Sequence, residues 1–497
     1  MNIYDFPTSN PALSTEYFSE GTPLVLWDTD RIQAENNCAC PTIPMHTPSH
    51  VVSELLLWRL PTDLYIQALG KDYLLALNPR GHTGPVILND LTIAQAMKFK
   101  QPHYLDDPVA YQLAEASLLE IVDTPTTLPD MQPVALTAWL HVTNECNLRC
   151  TYCYIDKTPA AMDEATGKAA IDAIIRSALQ HHFLGVNLKY AGGEATLNFN
   201  LVQILHAYAK AATAAAGLQL ESGVLSNGVA LTNSMLDFLR DENIRLMISL
   251  DGSAEEHDRQ RVFRNGRGSH HQVTRSIDRA LARKVSPYLS ITVTGKSVAG
   301  LVDAVTFALD RDLLFNLNFY REHDANKTNA ELRAEDEAII AALRSAFAVI
   351  EERLPKRSLI GALVDRSSFA GPHQRSCGAG HNYLVVDHKG GVARCQMEIE
   401  RTVTNVFAQD PLQEIQLHTT GFQNLAVDEK EGCRDCHWRY WCAGGCSLLT
   451  YRVTGRNDVK SPYCNVYKAI YPELLRLEGL RLLKWATPQP TNQLYPN

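Results

Sequence analysis

Between residues 135 and 322, short apolar runs rich in β-branched residues alternate with longer stretches whose apolar positions recur every three or four residues. That is the pattern of βαβ units and a parallel sheet. Six runs carry the strand pattern: Ala135 to Thr143, Val186 to Tyr190, Leu218 to Leu225, Ile244 to Leu250, Leu289 to Thr294 and Leu314 to Tyr320. Between the first two, Ala169, Ile171, Ile174, Ile175 and Leu179 fall near one face of a helix predicted over Glu164 to Gln180. Six β/α units predict an α/β fold, a partial (β/α)6 barrel over about 135–325. In parallel barrels ligands sit on the loops that follow the strands, so the residues after each run are where chemistry is expected.

The flanks are less regular. In the first 130 residues, Tyr73 to Asn78, a turn over Pro79 to Thr83, and Val86 to Asn89 predict a hairpin, followed by a helix from about Ile93. A small α+β module is the expectation, joined to the barrel by the proline-punctuated stretch 123–133. Beyond the barrel, Ala330 to Arg353 reads as the helix of a linker over 326–370, and the last part, 371–497, ends in an amphipathic helix running to about Trp485.

Composition narrows the function classes. With 497 residues, 45% hydrophobic and 20% charged, the chain is long enough for two or three folded domains. A net charge of -9 without any Lys/Arg stripe argues against a nucleic-acid partner. Residues 1–10 show neither a basic start nor an apolar core, and no long apolar run occurs, which predicts a cytoplasmic chain that does not enter the membrane. Twelve cysteines in a reducing compartment point to metal or redox work rather than disulfides. Three lie between Cys146 and Cys153, seven between Cys377 and Cys464, and Cys38 and Cys40 stand apart.

The spacing Cys146-x3-Cys150-x2-Cys153 puts three thiolates in one loop directly after the first strand. An iron–sulfur cubane takes four ligands, so three local cysteines leave one iron open. Zinc normally wants four closed ligands, which makes it the poorer reading. With Tyr152 before its last cysteine, this loop resembles the signature of the radical S-adenosylmethionine (SAM) superfamily. The resemblance implies a [4Fe–4S] cluster whose open iron is chelated by SAM and which cleaves SAM to a 5′-deoxyadenosyl radical. Gly192, Gly193 and Glu194 after the second strand resemble the motif that holds the methionine amino group, with Ala195 in place of the usual proline. Ser226, Asn227 and Gly228 after the third strand, and the stretch Ser249-x-Asp251-Gly252 after the fourth, resemble the segments that meet the ribose and carboxylate. Arg261, in a stretch with His257 and Asp258, is a candidate partner for a carboxylate. No substrate-activating side chain is singled out.

The second cysteine group fits the SPASM domain of radical SAM maturases at Cys377, Cys395, Cys433, Cys436, Cys442, Cys446 and Cys464. That resemblance implies two auxiliary four-iron clusters, three clusters in all. Cys377, Cys395 and Cys446 would hold the one nearer the barrel, and Cys433, Cys436, Cys442 and Cys464 the other. Where some relatives carry a further cysteine this chain has Tyr383, leaving the nearer cluster either an open iron or a ligand borrowed from His381, Asp387, Cys38 or Cys40.

Members built this way mostly modify ribosomally made peptides. The N-terminal module resembles a winged-helix leader-recognition domain, and residues 433–464 look most like maturases of the nif11-type leader class, some of which excise tyramine from a peptide backbone. The implied partners are a precursor peptide, its leader bound by this module or by a separate leader-binding protein, and a reductant such as flavodoxin or ferredoxin. The implied chemistry is a crosslink, an epimerised centre or a backbone excision. An anaerobic sulfatase-type maturase and a non-catalytic iron–sulfur or zinc interaction protein are the competing readings.

Overall fold

The computed structural model describes residues 22–28, 52, 54–123, 125, 128, 133–323, 330–369 and 371–486. Cys38 and Cys40 lie outside them. The N-terminal part contains β1 (Val25–Leu26), β2 (Trp58–Arg59), β3 (Tyr65–Leu69), β4 (Tyr73–Leu77), β5 (Val86–Asn89) and β6 (Glu120–Ile121), with helices α1 (Asp90–Ala96) and α2 (Pro108–Glu115). The expected hairpin is β4–β5, but it sits inside a four-stranded antiparallel sheet of order β1-β5-β4-β3. Helix α1 starts three residues earlier than the apolar pattern suggests, because Asn89 caps it, its side chain accepting from Thr92 N at 3.1 Å. Strand β4 is buried on both faces: Leu74 and Ala76 pack with Phe99, Ala110 and Leu113, while Leu75 and Leu77 face the rest of the molecule.

The barrel strands are β7 (Ala135–Thr143), β8 (Gly185–Gly192), β9 (Gln219–Ser226), β10 (Arg245–Ser249), β11 (Tyr288–Val293) and β12 (Phe315–Phe319), all parallel. Between and after them run α3 (Glu164–Gln180), α4 (Phe199–Ala215), α5 (Asn233–Asp241), α6 (Ala254–Gln260), α7 (His270–Ala282), α8 (Leu301–Asp310) and α9 (Asp336–Glu352). Helix α3 has its predicted bounds, with Asp163 as cap accepting from Thr166 N at 2.7 Å. Among its described residues the linker is less helical than expected: only Asp336–Glu352 is α-helix, and a short 3-10 turn occupies Ala330–Leu332.

The cysteine-rich part holds β13 (Tyr383–Val386), β14 (Gly391–Ala393), β15 (Thr404–Asn405), α10 (Pro411–Leu417), α11 (Arg439–Cys442), α12 (Ser447–Thr454) and α13 (Cys464–Trp485). Here the structure departs from a self-contained six-stranded barrel. Strand β13 pairs in parallel with β7, Val385 opposite Trp139, so the sheet runs β12-β11-β10-β9-β8-β7-β13-β14-β15. Tyr383, Val385 and Ala393 pack with Trp139 and Ala191 beneath it.

Helix α13 is also not the two-faced helix its pattern suggests: Leu474, Leu475, Leu477, Leu480, Leu482 and Leu483 are all buried. One side packs on α9 and the other on the N-terminal sheet. At the sheet contact stands Gly479, where a Cβ would lie 2.5 Å from Leu69 Cδ1 and 3.1 Å from Leu75 Cδ1. A side chain there would have to displace the ends of Leu69 and Leu75, so the close approach of helix to sheet favours glycine. Arg481 on the same helix pairs with Glu478 and, at 2.5 Å, with Asp28 of the N-terminal part.

Candidate active site

A loop of three cysteines needs to be held from outside, since few of its own side chains can pack. Two neighbouring loops do this through the main chain. On one side Gly193 N donates to Thr143 O at 2.7 Å and Glu194 N to Glu145 O at 2.8 Å. On the other, Arg149 N donates to Val262 O at 2.7 Å and Thr151 N to Gln260 O at 2.9 Å. Room for the first contact exists because Gly192 and Gly193 lack side chains: a Cβ at Gly192 would meet Thr143 O at 2.4 Å, and one at Gly193 would meet Glu145 O at 2.4 Å. The base of the loop is pinned by His141, at the end of β7, whose Nε2 lies 2.6 Å from Asn144 Oδ1.

Glu194 is buried and its carboxylate is filled by this chain's own donors. Oε1 accepts from Thr196 Oγ1 at 2.6 Å and Ser226 Oγ at 2.8 Å, and Oε2 from Asn227 N at 2.6 Å. It thereby ties the turn after β8 to the turn after β9. Asn227 in turn reaches the cysteine loop, with Nδ2 at 2.6 Å from Asn147 Oδ1 and 3.7 Å from Cys146 Sγ. Ser249 ends β10 at the same rim.

Behind the loop lies a buried polar network that the sequence did not reveal. Asp251 accepts from Tyr152 OH at 2.6 Å, Gln260 Nε2 at 3.0 Å and Thr292 N at 2.9 Å. Arg261 donates to Tyr152 OH and lies 3.5 Å from Asp251. His257 Nδ1 accepts from Asp251 N at 3.2 Å, so Nε2 carries the proton toward Ser269 Oγ at 3.0 Å. Burial drives the His257 pKa well below its ordinary value, helped by Arg261, consistent with this neutral tautomer. The Arg261 guanidinium thus faces an internal carboxylate, where a ligand's carboxylate was expected. The only earlier pointer to Asp251 was its place in the Ser249-x-Asp251 stretch.

Burial raises the Cys146 thiol and pushes Cys150 up to about 12, with Arg261 pulling Cys150 the other way. Each of these two also feels Cys153, so the three thiols share one electrostatic neighbourhood. Thiols held protonated in this way give up their protons to a bound metal.

The C-terminal cysteines separate into two neighbourhoods. Cys377 feels Cys446, and Cys395 feels both Cys446 and Cys377. Cys433 feels Cys442, Cys464 and Cys436. At Cys446 burial pushes the thiol up, but Arg321, Arg366 and the Leu449 main chain outweigh that and it is lowered. Among the described residues no three His, Cys, Asp or Glu side chains converge on a single metal ion. A cubane presents a different iron to each thiolate, so its ligands need not converge. A cavity of about 410 Å³, counting the space open at its mouth, is lined by Cys377, Cys395, Cys446, Tyr383, Gln396 and Arg366 among others. Tyr383 OH donates to Gln396 Oε1 at 3.1 Å. His381 instead turns to Asn424 O at 3.2 Å, and Asp387 accepts from Lys389 N and Gly391 N in the β13–β14 turn, so neither lines the cavity.

Residues 140–305 match the family model of the Radical SAM superfamily. Over 359 residues the chain is 22% identical to a cysteine-type anaerobic sulfatase-maturating enzyme of Clostridium novyi, covering 66% of this chain and 92% of that enzyme. It is 24% identical over 281 residues to the antilisterial bacteriocin subtilosin biosynthesis protein AlbA of Bacillus subtilis, covering 55% of this chain and 58% of AlbA. The fold superposes on the solved structure of anSMEcpe with bound AdoMet and Cp18Cys peptide with a TM-score of 0.55 at 18% identity, over 70% of this chain and 99% of the other. Among the described residues no helix is long and apolar enough to cross a membrane.

Proposed function

We propose, from the premise that this chain is a radical SAM enzyme related to the SPASM-type, peptide-modifying maturases, that it acts on a ribosomally made precursor peptide. The reading includes a [4Fe–4S] site at Cys146, Cys150 and Cys153 and two auxiliary clusters, at Cys377, Cys395 and Cys446 and at Cys433, Cys436, Cys442 and Cys464. The observation that carries it is the three-thiol loop clamped by main-chain hydrogen bonds at the end of the barrel strands. When bound, the cluster supplies one electron that cleaves SAM to a 5′-deoxyadenosyl radical able to abstract a substrate hydrogen.

The chain's own residues position and shield that chemistry. In this reading the Gly192–Gly193–Glu194 turn, Ser226, Asn227 and Ser249 form the rim where SAM lies, and Asn227 also steadies Cys146 through its 3.7 Å contact. We assign Arg261, with Tyr152 and Asp251, to holding the cysteine loop from behind. The N-terminal sheet offers β3 as an edge strand to which a leader peptide could add as a further strand. A flavodoxin or ferredoxin would deliver the electron.

A sulfatase-type maturase is the second reading, favoured by the 92% coverage of the clostridial enzyme. Offering Cys- or Ser-containing sulfatase peptides beside a candidate precursor separates the two by mass change. The experiment for the shared reading is anaerobic incubation with reductant and SAM. The protein should form 5′-deoxyadenosine, and the Cys146→Ala, Cys150→Ala, Cys153→Ala triple variant should not. Undiminished product from that variant would sink the proposal.

A further inference from the structure

Lys430 is 1% exposed. It sits just before the distal cysteine set, its carbonyl accepting from Cys433 N at 3.1 Å. Its Nζ donates to Ala443 O at 3.1 Å and to Ser447 Oγ at 3.5 Å. The ammonium therefore rests on the 443–447 segment, which joins Cys442 of one set to Cys446 of the other. The path continues beyond it. Ser447 Oγ donates to Asn424 Oδ1 at 2.8 Å, and Asn424 Nδ2 donates to Cys377 O at 2.6 Å and lies 3.8 Å from Cys377 Sγ. The fit is close, since a Cβ at Gly444 would stand 2.7 Å from Lys430 Cδ and 2.9 Å from Nζ.

A buried ammonium whose hydrogen-bond partners are a carbonyl and a hydroxyl needs negative charge nearby to be stable. No carboxylate supplies it among the described residues. Lys430 is within electrostatic reach of Cys433, Cys442, Cys377 and Cys446, two from each set; burial lowers its pKa, and these thiols, once ionised, raise it. One cation thus serves both cysteine sets.

We propose that Lys430 is a positioning residue shared by the two auxiliary clusters, raising the reduction potential of both together. The proposal rests on the reading that both cysteine sets hold four-iron clusters. Reducing either cluster adds one electron and neither makes a bond nor moves a proton. A fixed positive charge favours the more negative, reduced state, and does so strongly where water is excluded. Asn424, aimed at Cys377 Sγ, extends the same influence to the nearer set by a hydrogen bond.

The test is a dithionite titration of the reconstituted full chain, followed by electron paramagnetic resonance and iron analysis. Wild type should hold about twelve irons, four per cubane; about four would sink the two-cluster reading before any variant is made. Lys430→Gln should keep its iron, while at a fixed potential the reduced-to-oxidised ratio of both auxiliary clusters falls about tenfold, about 59 mV for one electron. The radical cluster should not move. Ser447→Ala keeps the charge and cuts the path to Asn424, so only the cluster at Cys377 should shift, by about threefold, about 28 mV on the same scale. Unchanged potentials in iron-replete Lys430→Gln, iron loss from either set, or a shift confined to one cluster would overturn the proposal. If Lys430→Gln does not fold, an unmoved Cys377 cluster in Ser447→Ala overturns it.

Discussion

Replacing Gly193 by alanine tests the clamp on the cysteine loop. The new Cβ would lie 2.4 Å from Glu145 O and 2.5 Å from Asn144 O, close to 1 Å inside the ~3.3 Å at which carbon and a carbonyl oxygen ordinarily meet. The obstacle is main chain rather than a side chain that could swing away. Overpacking of this kind costs about 1–3 kcal/mol. The shift also strains the bonds from Gly193 N to Thr143 O at 2.7 Å and from Glu194 N to Glu145 O at 2.8 Å, each worth about 1 kcal/mol. With both bonds lost the cost is about 3–5 kcal/mol, which at 1.4 kcal/mol per tenfold weakens cluster binding roughly 100-fold to several thousand-fold. On the three-cluster reading proposed above, the expected outcome is a fall from about twelve irons to about eight, with the loss confined to the radical cluster and 5′-deoxyadenosine formation falling with it. Gly217→Ala is the control, because its φ is +70° and nothing lies within 4 Å of a Cβ there. That variant carries only backbone strain of about 1–2 kcal/mol and should keep all its iron. Full iron and undiminished cleavage in Gly193→Ala would refute the clamp.

Two further outcomes are expected. Burial lowers the His141 pKa from 6.5 to about 4, and its Nδ1 is buried without a partner, so protonation would place an unpaired N–H in the core. The unfolded chain takes up that proton near pH 6.5 and the folded one resists to about pH 4, so up to about 3 kcal/mol is lost as pH falls through that window. His141→Gln, whose amide can still donate to Asn144, should flatten the acid limb of stability between those values, and an unaltered slope in denaturant titrations would contradict this. Gly479→Leu should lever the N-terminal sheet off α13, at a cost of about 3 kcal/mol or more, making residues 54–123 protease-sensitive while iron content and SAM cleavage persist; unchanged proteolysis would show that the sheet is held elsewhere.

The local chemistry of the chain was open to reading, and its long-range pairings were not. Ala135–Thr143 and Glu164–Gln180 have the bounds their patterns imply, because long uninterrupted runs leave few alternatives. Tyr383–Val386 is only four residues long, and its partner Thr137 lies 246 positions away, so nothing local announces a strand. Tyr65–Leu69 is an edge strand with mostly half-buried residues and lacks a clear alternation. The cysteine sets were legible as spacings. Lys430 and Asn424 were not, since a lone polar residue has no period. Arg261 was read as a partner for a carboxylate, and Asp251 is one; their pairing had no signal apart from proximity in the chain.

The pairing of β13 with β7 gives the molecule a built-in ruler. Strand β7 ends at the loop of Cys146, and the β13–β14 hairpin leads to Cys395, so the separation of the two is set by a ladder of hydrogen bonds rather than by the intervening polypeptide. Residues could be added at the exposed end of α9, Glu352–Arg353, without altering that separation, since loop length changes closure entropy only slowly. A deletion of one residue within β13 would be different in kind. It would reverse the facing of every residue on one side of the cut, so that Tyr383 and Val385 could no longer both pack beside Trp139, and disturb both ends of the ruler at once.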